Sequence, residues 1–158
     1  MNYRIMFAQE DAEAELRGIL LESDMDMAGD IREHVLIKRH DEIIGGGMLT
    51  QTGTDVFHLI VFAVKESARN HGIGSILLKD LIGQPWKHSL NSTGRTDNPY
   101  TVTTVAKGKS SVFYKKNGFA ACDFSLLASP FRGQCDDCPE KSDCTPVAMV
   151  YQGHDPRG

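Results

Sequence analysis

Long apolar runs are missing from this 158-residue chain, and the longest is only six residues, Leu59 through Ile60, Val61, Phe62 and Ala63 to Val64. A helix that crosses a bilayer needs roughly 20. Residues 1–30 carry Arg4, Glu10, Asp11, Glu13 and Glu15 without any long apolar stretch, so we expect neither a secretory signal nor a membrane span, and a cytoplasmic chain. A positive excess is missing too. The net charge of −4 and the lack of interleaved aromatic and basic residues argue against a nucleic-acid partner. Cysteine is scarce at four, and repeats and low-complexity tracts are absent. What remains is ordinary for a globular protein, with 41% hydrophobic and 24% charged residues. The length suits one core and is short for two, so residues 1–158 are expected to form a single domain.

Charge is unevenly placed. Residues 65–116 hold nine Lys/Arg against three acids, whereas residues 1–64 hold five basic and twelve acidic residues. A basic middle in an acidic chain suits a phosphorylated ligand better than a polymer, although chance clustering on solvated faces gives the same count.

Hydrophobic periodicity supplies the elements. Residues 2–8 read as an edge strand, and residues 11–22 as a helix with apolar positions 12, 16, 19 and 20 and Asp11 as its N-cap. Residues 33–39 and 42–50 read as strands joined by a tight turn at His40 and Asp41; Gly45, Gly46 and Gly47 in the second suggest a bulge or a close backbone neighbour. Residues 57–64 are a strand buried on both faces, and a helix runs from Gly72 to about Gly83. Residues 84–99 read as a long polar loop, 100–106 as a strand, and 110–117 as a short helix stopped by Gly118. Residues 119–127 and 146–151 are the last two strands.

A buried strand that breaks at Arg69, Gly72 and Gly74 and feeds a helix can point consecutive N–H groups at a phosphate, with the helix dipole adding to the attraction. Side chains at positions 72 and 74 would hold such a ligand off the backbone. The turn is not the dinucleotide fingerprint, because Leu77 stands where that pattern has its third glycine, and no Gly-Lys-Ser/Thr follows as in a Walker A loop. Some forty residues on lie Ser110, Phe113, Tyr114, Gly118 and Phe119. The two segments together resemble the signature segments of the GNAT superfamily of acetyl-CoA-dependent N-acetyltransferases. In that family the turn reads Gln/Arg-x-x-Gly-x-Gly/Ala, and the second segment ends aromatic-Tyr-x-x-x-Gly-Phe. The order of elements over residues 1–151 is also similar. Two positions depart from the pattern: His71 stands where Arg is common, and Lys107 where an Asn commonly closes the strand.

The resemblance implies an α+β fold with a splayed, mixed but mostly antiparallel sheet of six or seven strands flanked by about four helices. It implies acetyl transfer from acetyl-CoA to a primary amine, whether a small molecule, an amino acid or a protein amine, by direct attack in a ternary complex. Phe62, Ala63 and Val64 would offer main-chain groups to the pantetheine arm. Arg69, Asn70, His71, Gly72, Ile73 and Gly74 would cradle the pyrophosphate, with Ser75 also binding the cofactor and Ser110 near it or capping its helix. The Phe62 N–H would face the oxyanion, and Tyr114 would protonate the leaving thiolate unless it is a packed core aromatic. His58 falls where histone-acetylating members carry a glutamate base. Simple alternation puts it on one face with Ile60, Phe62 and Val64, and the competing reading is a buried histidine satisfied by a carbonyl.

Cys135, Cys138 and Cys144 lie in a loop over residues 129–145, with Cys122 upstream. Four thiols with one C-x2-C spacing suit a tetrahedral zinc site, though the second C-x2-C of a zinc ribbon is absent; free or redox-active thiols are the main alternative. A second functional reading is therefore a non-enzymatic acyl-CoA sensor whose cysteine loop responds to metal or redox state. The chain is expected as a monomer or homodimer.

Overall fold

The structure, a computed structural model, describes residues 3–69, 71–90, 92–94, 99–128, 131 and 146–153. Seven strands form one sheet: β1 (Tyr3–Phe7), β2 (Val35–Arg39), β3 (Glu42–Gly53), β4 (Val56–Val64), β5 (Tyr100–Ala106), β6 (Ala120–Ala121) and β7 (Val147–Gly153). Their spatial order is β1-β2-β3-β4-β5-β7-β6. Every neighbouring pair is antiparallel except β4 with β5. Among the described residues four α-helices accompany the sheet: α1 (Glu13–Glu22), α2 (Ile73–Gly83), α3 (Pro85–His88) and α4 (Ser111–Lys116). This is the mixed α+β architecture the sequence leads one to expect.

Both faces of the sheet are covered, which explains the continuous apolar run of β4. On one face Leu77, Leu78 and Leu81 of α2 pack with Phe57, Leu59, Phe62, Val102 and Tyr114. On the other, Leu16, Ile19 and Leu20 of α1 pack with Leu36, Met48, Val61 and Ala63. Each fully buried Leu or Phe in these layers is worth about 1.5–3 kcal/mol. Gly46 lets α1 come this close. A Cβ built there would lie 2.6 Å from Leu16 Cδ1 and 2.8 Å from the Val35 carbonyl oxygen.

Phe57 and Leu59 lie on the same face as Phe62, three positions beyond Leu59, so strict alternation fails between them. The β3–β4 register supplies the cause: Met48 pairs with Val61 but Leu49 with Leu59, leaving Ile60 as an extra residue. The expectation that His58 shares a face with Phe62 and Val64 is therefore corrected. A second shift, between the pairs Ile37–Gly45 and Lys38–Ile43, leaves Ile44 as the extra residue in β3.

Other boundaries also differ from the sequence reading. Asp11 is not a helix cap, because it sits inside a 3-10 turn, Glu10–Ala12, that precedes α1. The segment before β2 is another 3-10 turn, Ile31–Glu33, closed by a reciprocal capping box between Asp30 and Glu33. The expected strand over 119–127 shrinks to β6. Past the bond from Cys122 N to the Ala148 carbonyl, the Asp123 side chain accepts from Ser125 N and turns the chain into a 3-10 segment, Phe124–Leu126. Within the expected loop of 84–99, Pro85 opens α3 and Trp86 packs edge-on against Phe57 and Tyr100, at ring separations of 5.0 and 5.4 Å. His88 meets Asp80 of α2 at 2.7 Å, and Thr93 exchanges two hydrogen bonds with Gln51 of β3.

Two glycine substitutions probe this packing with opposite signs. Gly46→Ala should destabilise by about 1–3 kcal/mol, because the Val35 carbonyl is backbone and cannot move aside. Gly18→Ala, in the interior of α1 with no atom within 4 Å of the new Cβ, should stabilise by about 0.5–1 kcal/mol. Urea midpoints at constant m-value test both.

Candidate active site

The parallel pairing of β4 with β5 runs from Val56–Thr101 to Leu59–Thr104 and stops there. Both strands continue, β4 to Val64 and β5 to Ala106, so beyond this last pair the sheet opens. Strand alternation decides which groups face the opening. Lys65 N donates to the Ile44 carbonyl at 2.7 Å, and the Ala63 carbonyl lies against Gly45, so these residues turn their main chain toward β3. The main-chain groups of Phe62 and Val64 consequently turn the other way. The Val64 carbonyl accepts from Arg69 Nε at 3.1 Å on that side. Of the three residues expected to offer main-chain groups here, Ala63 thus has them engaged with β3.

A cleft of about 690 Å³ occupies the opening. Its lining brings together Phe62, Ala63, Val64, Arg69, Gly72, Ile73, Gly74, Ser75, Ser110 and Tyr114. His58 and His71 are not among the lining residues, and Asn70 lies outside the described residues.

At one end of the cleft stands the N-terminus of α2. Gly72 holds φ at +76°, a left-handed conformation that favours glycine, and provides no side-chain cap. The first intrahelical bond runs from Ile76 N to the Gly72 carbonyl, so the N–H groups of Ile73, Gly74 and Ser75 have no partner within the helix. Gly74 lies close against α4, since a Cβ there would lie 3.2 Å from Phe113 Cζ. Lys107, Lys109, Lys116 and Arg69 add positive charge to the lining, against Glu22 and Asp24. Two of these cations are tied to the C-terminal end of α1: Lys107 Nζ donates to the Ser23 carbonyl at 2.9 Å and meets Asp24 at 3.3 Å, while Arg69 donates to Ser23 Oγ at 3.0 Å.

Tyr114 projects from α4 into the α2-side core and reaches the cleft with only 6% of its surface exposed. Burial pushes its phenol well above the usual tyrosine value, and a hydrogen bond with Thr104 offsets part of the shift. Thr104 Oγ1 donates to the Leu59 carbonyl at 2.8 Å. Thr104 belongs to the last β4–β5 pair, so the phenol lies near the point where the strands part. Sequence reasoning missed Thr104, because a threonine in a β-branched strand carries no mark of its partner.

His58 is elsewhere. It is buried on the sheet face opposite Tyr114, its Nδ1 2.7 Å from Thr103 Oγ1 and its ring stacked on Phe131 at 4.0 Å. Burial lowers its pKa to about 4. Ser110 immediately precedes α4 without a side-chain cap bond, whereas Ser111 Oγ donates to the Gly108 carbonyl. Cys122 is free, and Cys135, Cys138 and Cys144 lie outside the described residues. Among the described residues no cluster of three or more His, Cys, Asp or Glu could hold a metal ion, and no helix is long and apolar enough to cross a membrane.

Residues 30–121 match the family model of the acetyltransferase (GNAT) domain. The chain belongs to the GNAT acetyltransferase family. The splayed sheet with the α2 turn is the GNAT fold, and the family is one of acetyltransferases. No curated protein sequence matches it. Among solved structures, it is similar to N-acetylglutamate synthase from Neisseria gonorrhoeae complexed with coenzyme A and N-acetyl-glutamate, at 14% identity and a TM-score of 0.73, over 96% of this chain and 35% of that one. The GNAT chain therefore spans about a third of the synthase. It is also similar to Ard1 from Thermoplasma volcanium, at 13% identity and TM-score 0.65 over 97% and 99% of the two chains. GCN5 of Tetrahymena gives 16% identity and TM-score 0.63 over 98% of each.

The placement of His58 has a consequence for stability. Its folded pKa lies below the ordinary histidine value of 6.5, so the unfolded chain binds more protons between pH 6.5 and 4. Its contribution is complete above pH 6.5 and is lost as pH falls to about 4, on the order of 3 kcal/mol at about 1.4 kcal/mol per pH unit. Buried His88, also lowered mainly by desolvation, acts in the same direction. Urea unfolding at a series of pH values should show stability falling across this window, and His58→Gln should flatten the slope.

Proposed function

We propose that this acetyltransferase moves the acetyl group of acetyl-CoA to a primary amine by direct attack in a ternary complex. The observation that supports it most is the convergence, in one cleft, of the opened edge of β4, the N–H groups at the start of α2, and a buried, protonated tyrosine. An extended amide-bearing arm can lie along Phe62 and Val64 as an added strand. A pyrophosphate suits the α2 terminus, where three N–H groups and the helix dipole act together, with Arg69, Lys109 and Lys116 adding charge. The synthase from Neisseria gonorrhoeae was solved with coenzyme A, which agrees with this assignment.

Each residue then has a definable task. The Phe62 N–H donates to the thioester oxygen as negative charge develops on it. Tyr114 stays protonated across the physiological range and donates its proton to the departing sulfur. The attacking nitrogen must be neutral before it adds, and it loses a further proton as the amide forms. His58 is poorly placed for that work, being outside the cleft lining and weakly basic. We assign it to the β4–β5 junction and assign deprotonation to water entering the cleft. His71, exposed and not among the lining residues, contributes little to phosphate binding on this reading.

Thermal unfolding with and without ligand tests the proposal. A ligand at a hundred times its Kd stabilises by about 2.7 kcal/mol, so acetyl-CoA and CoA should raise Tm by several degrees. Tyr114→Phe should keep that shift while kcat for acetyl transfer falls by on the order of 10²-fold. No shift at saturating CoA would sink the acetyl-CoA reading.

A further inference from the structure

We propose that Asn117 is a positioning residue for the cofactor: it holds the Ser75 hydroxyl as a hydrogen-bond donor toward the bound pyrophosphate and locks the start of α2 to the helix that carries Tyr114. The proposal rests on the acetyl-CoA reading above. Asn117 follows α4 and is buried, with 7% of its surface exposed. Its amide nitrogen donates to the Phe113 carbonyl at 2.9 Å and to Ser75 Oγ at 3.3 Å. The carbonyl fixes the orientation of the amide, since the flipped arrangement would set two acceptors against each other.

The consequence falls on Ser75. A serine hydroxyl has one proton and two lone pairs, and an amide NH2 cannot accept. With one lone pair taken by Asn117, the Ser75 proton is directed elsewhere, and Ser75 lines the cleft beside Gly72, Ile73 and Gly74. Its own N–H precedes the first intrahelical bond of α2. One residue therefore presents two donors to the same place.

Asn117 also connects the two halves of the site. Phe113, whose carbonyl it holds, lies against Gly74. The Asn117 and Phe119 N–H groups both donate to the Tyr114 carbonyl, at 3.0 and 3.1 Å. The phosphate-binding turn and the proton donor, forty residues apart in sequence, are thus held by one side chain and its immediate backbone. In sequence Asn117 reads only as the residue before the helix-stopping Gly118.

A double-mutant cycle on CoA binding, followed by titration calorimetry, tests this. Asn117→Ala and Ser75→Ala should each raise the Kd for CoA by roughly 5–10-fold, and the double variant should be no more than about twofold weaker than either single one. KM for acetyl-CoA should rise in parallel, with kcat changed by less than about threefold. Asn117→Asp, which brings an acceptor to the Phe113 carbonyl and negative charge to the phosphate site, should bind worse than Asn117→Ala. A merely structural role would lower Tm and leave Kd and KM unchanged, which overturns the proposal, as do additive effects in the double variant. If Asn117→Ala does not fold, an unchanged Kd in Ser75→Ala is sufficient to overturn it. Absence of CoA binding by the wild-type chain would overturn the acetyl-CoA reading and this proposal with it; tight wild-type binding with an unchanged Kd in the variants overturns the positioning alone.

Discussion

The site depends on a pairing that stops. Parallel β4 and β5 are bonded as far as Leu59 and Thr104 and no further, although each strand runs on. Main-chain groups of a central strand are seldom left without partners in a folded core. Here the opening is stabilised from both sides. Thr104 Oγ1 bonds the Leu59 carbonyl at the last pair, and Arg69 returns from the turn to bond the Val64 carbonyl at the end of β4. Between those two bonds lie the residues whose main chain is directed at the cleft.

The bulge at Ile60 decides what stands where around that opening. By adding one residue it places Phe62 on the same face as Leu59, beneath Tyr114, and it leaves His58 on the opposite face with Thr103. Without it, strict alternation would put His58 and Phe62 on one face of the sheet. The cations are arranged with similar economy. Lys107 and Arg69 reach across to the C-terminal end of α1, where the helix dipole favours positive charge, and so link α1 to β5 and to the α2 turn.

Much of this was legible in the residues. Alternation and turn chemistry located β2, β3, β5 and the tight turn at His40, whose φ of 58° suits the short loop. The Gly72 and Gly74 turn with the Phe113, Tyr114 and Gly118 segment pointed to the family. Other features had no local signal. In an all-apolar run an extra residue has no polar neighbour to reveal that the parity has reversed, so the bulge at Ile60 was invisible. Pro85 and Trp86 read as loop because the helix they open is one turn long and is held by packing on Phe57 and Tyr100. Asp123 looked like a strand residue until its side chain was found capping Ser125. Thr104 and Asn117 act through partners 10 and 42 residues away, which no local pattern encodes.

The central claim is that alternate main-chain groups of β4 and the first N–H groups of α2 together receive coenzyme A. Residue-resolved amide hydrogen exchange, read by NMR on the chain with and without CoA, tests it most directly. The account predicts slowed exchange at Phe62, Val64, Ile73, Gly74 and Ser75 on CoA binding, with Ala63 unchanged because its N–H already faces β3. Protection at Ala63 without Phe62 and Val64, or protection confined to residues outside the cleft, would contradict it.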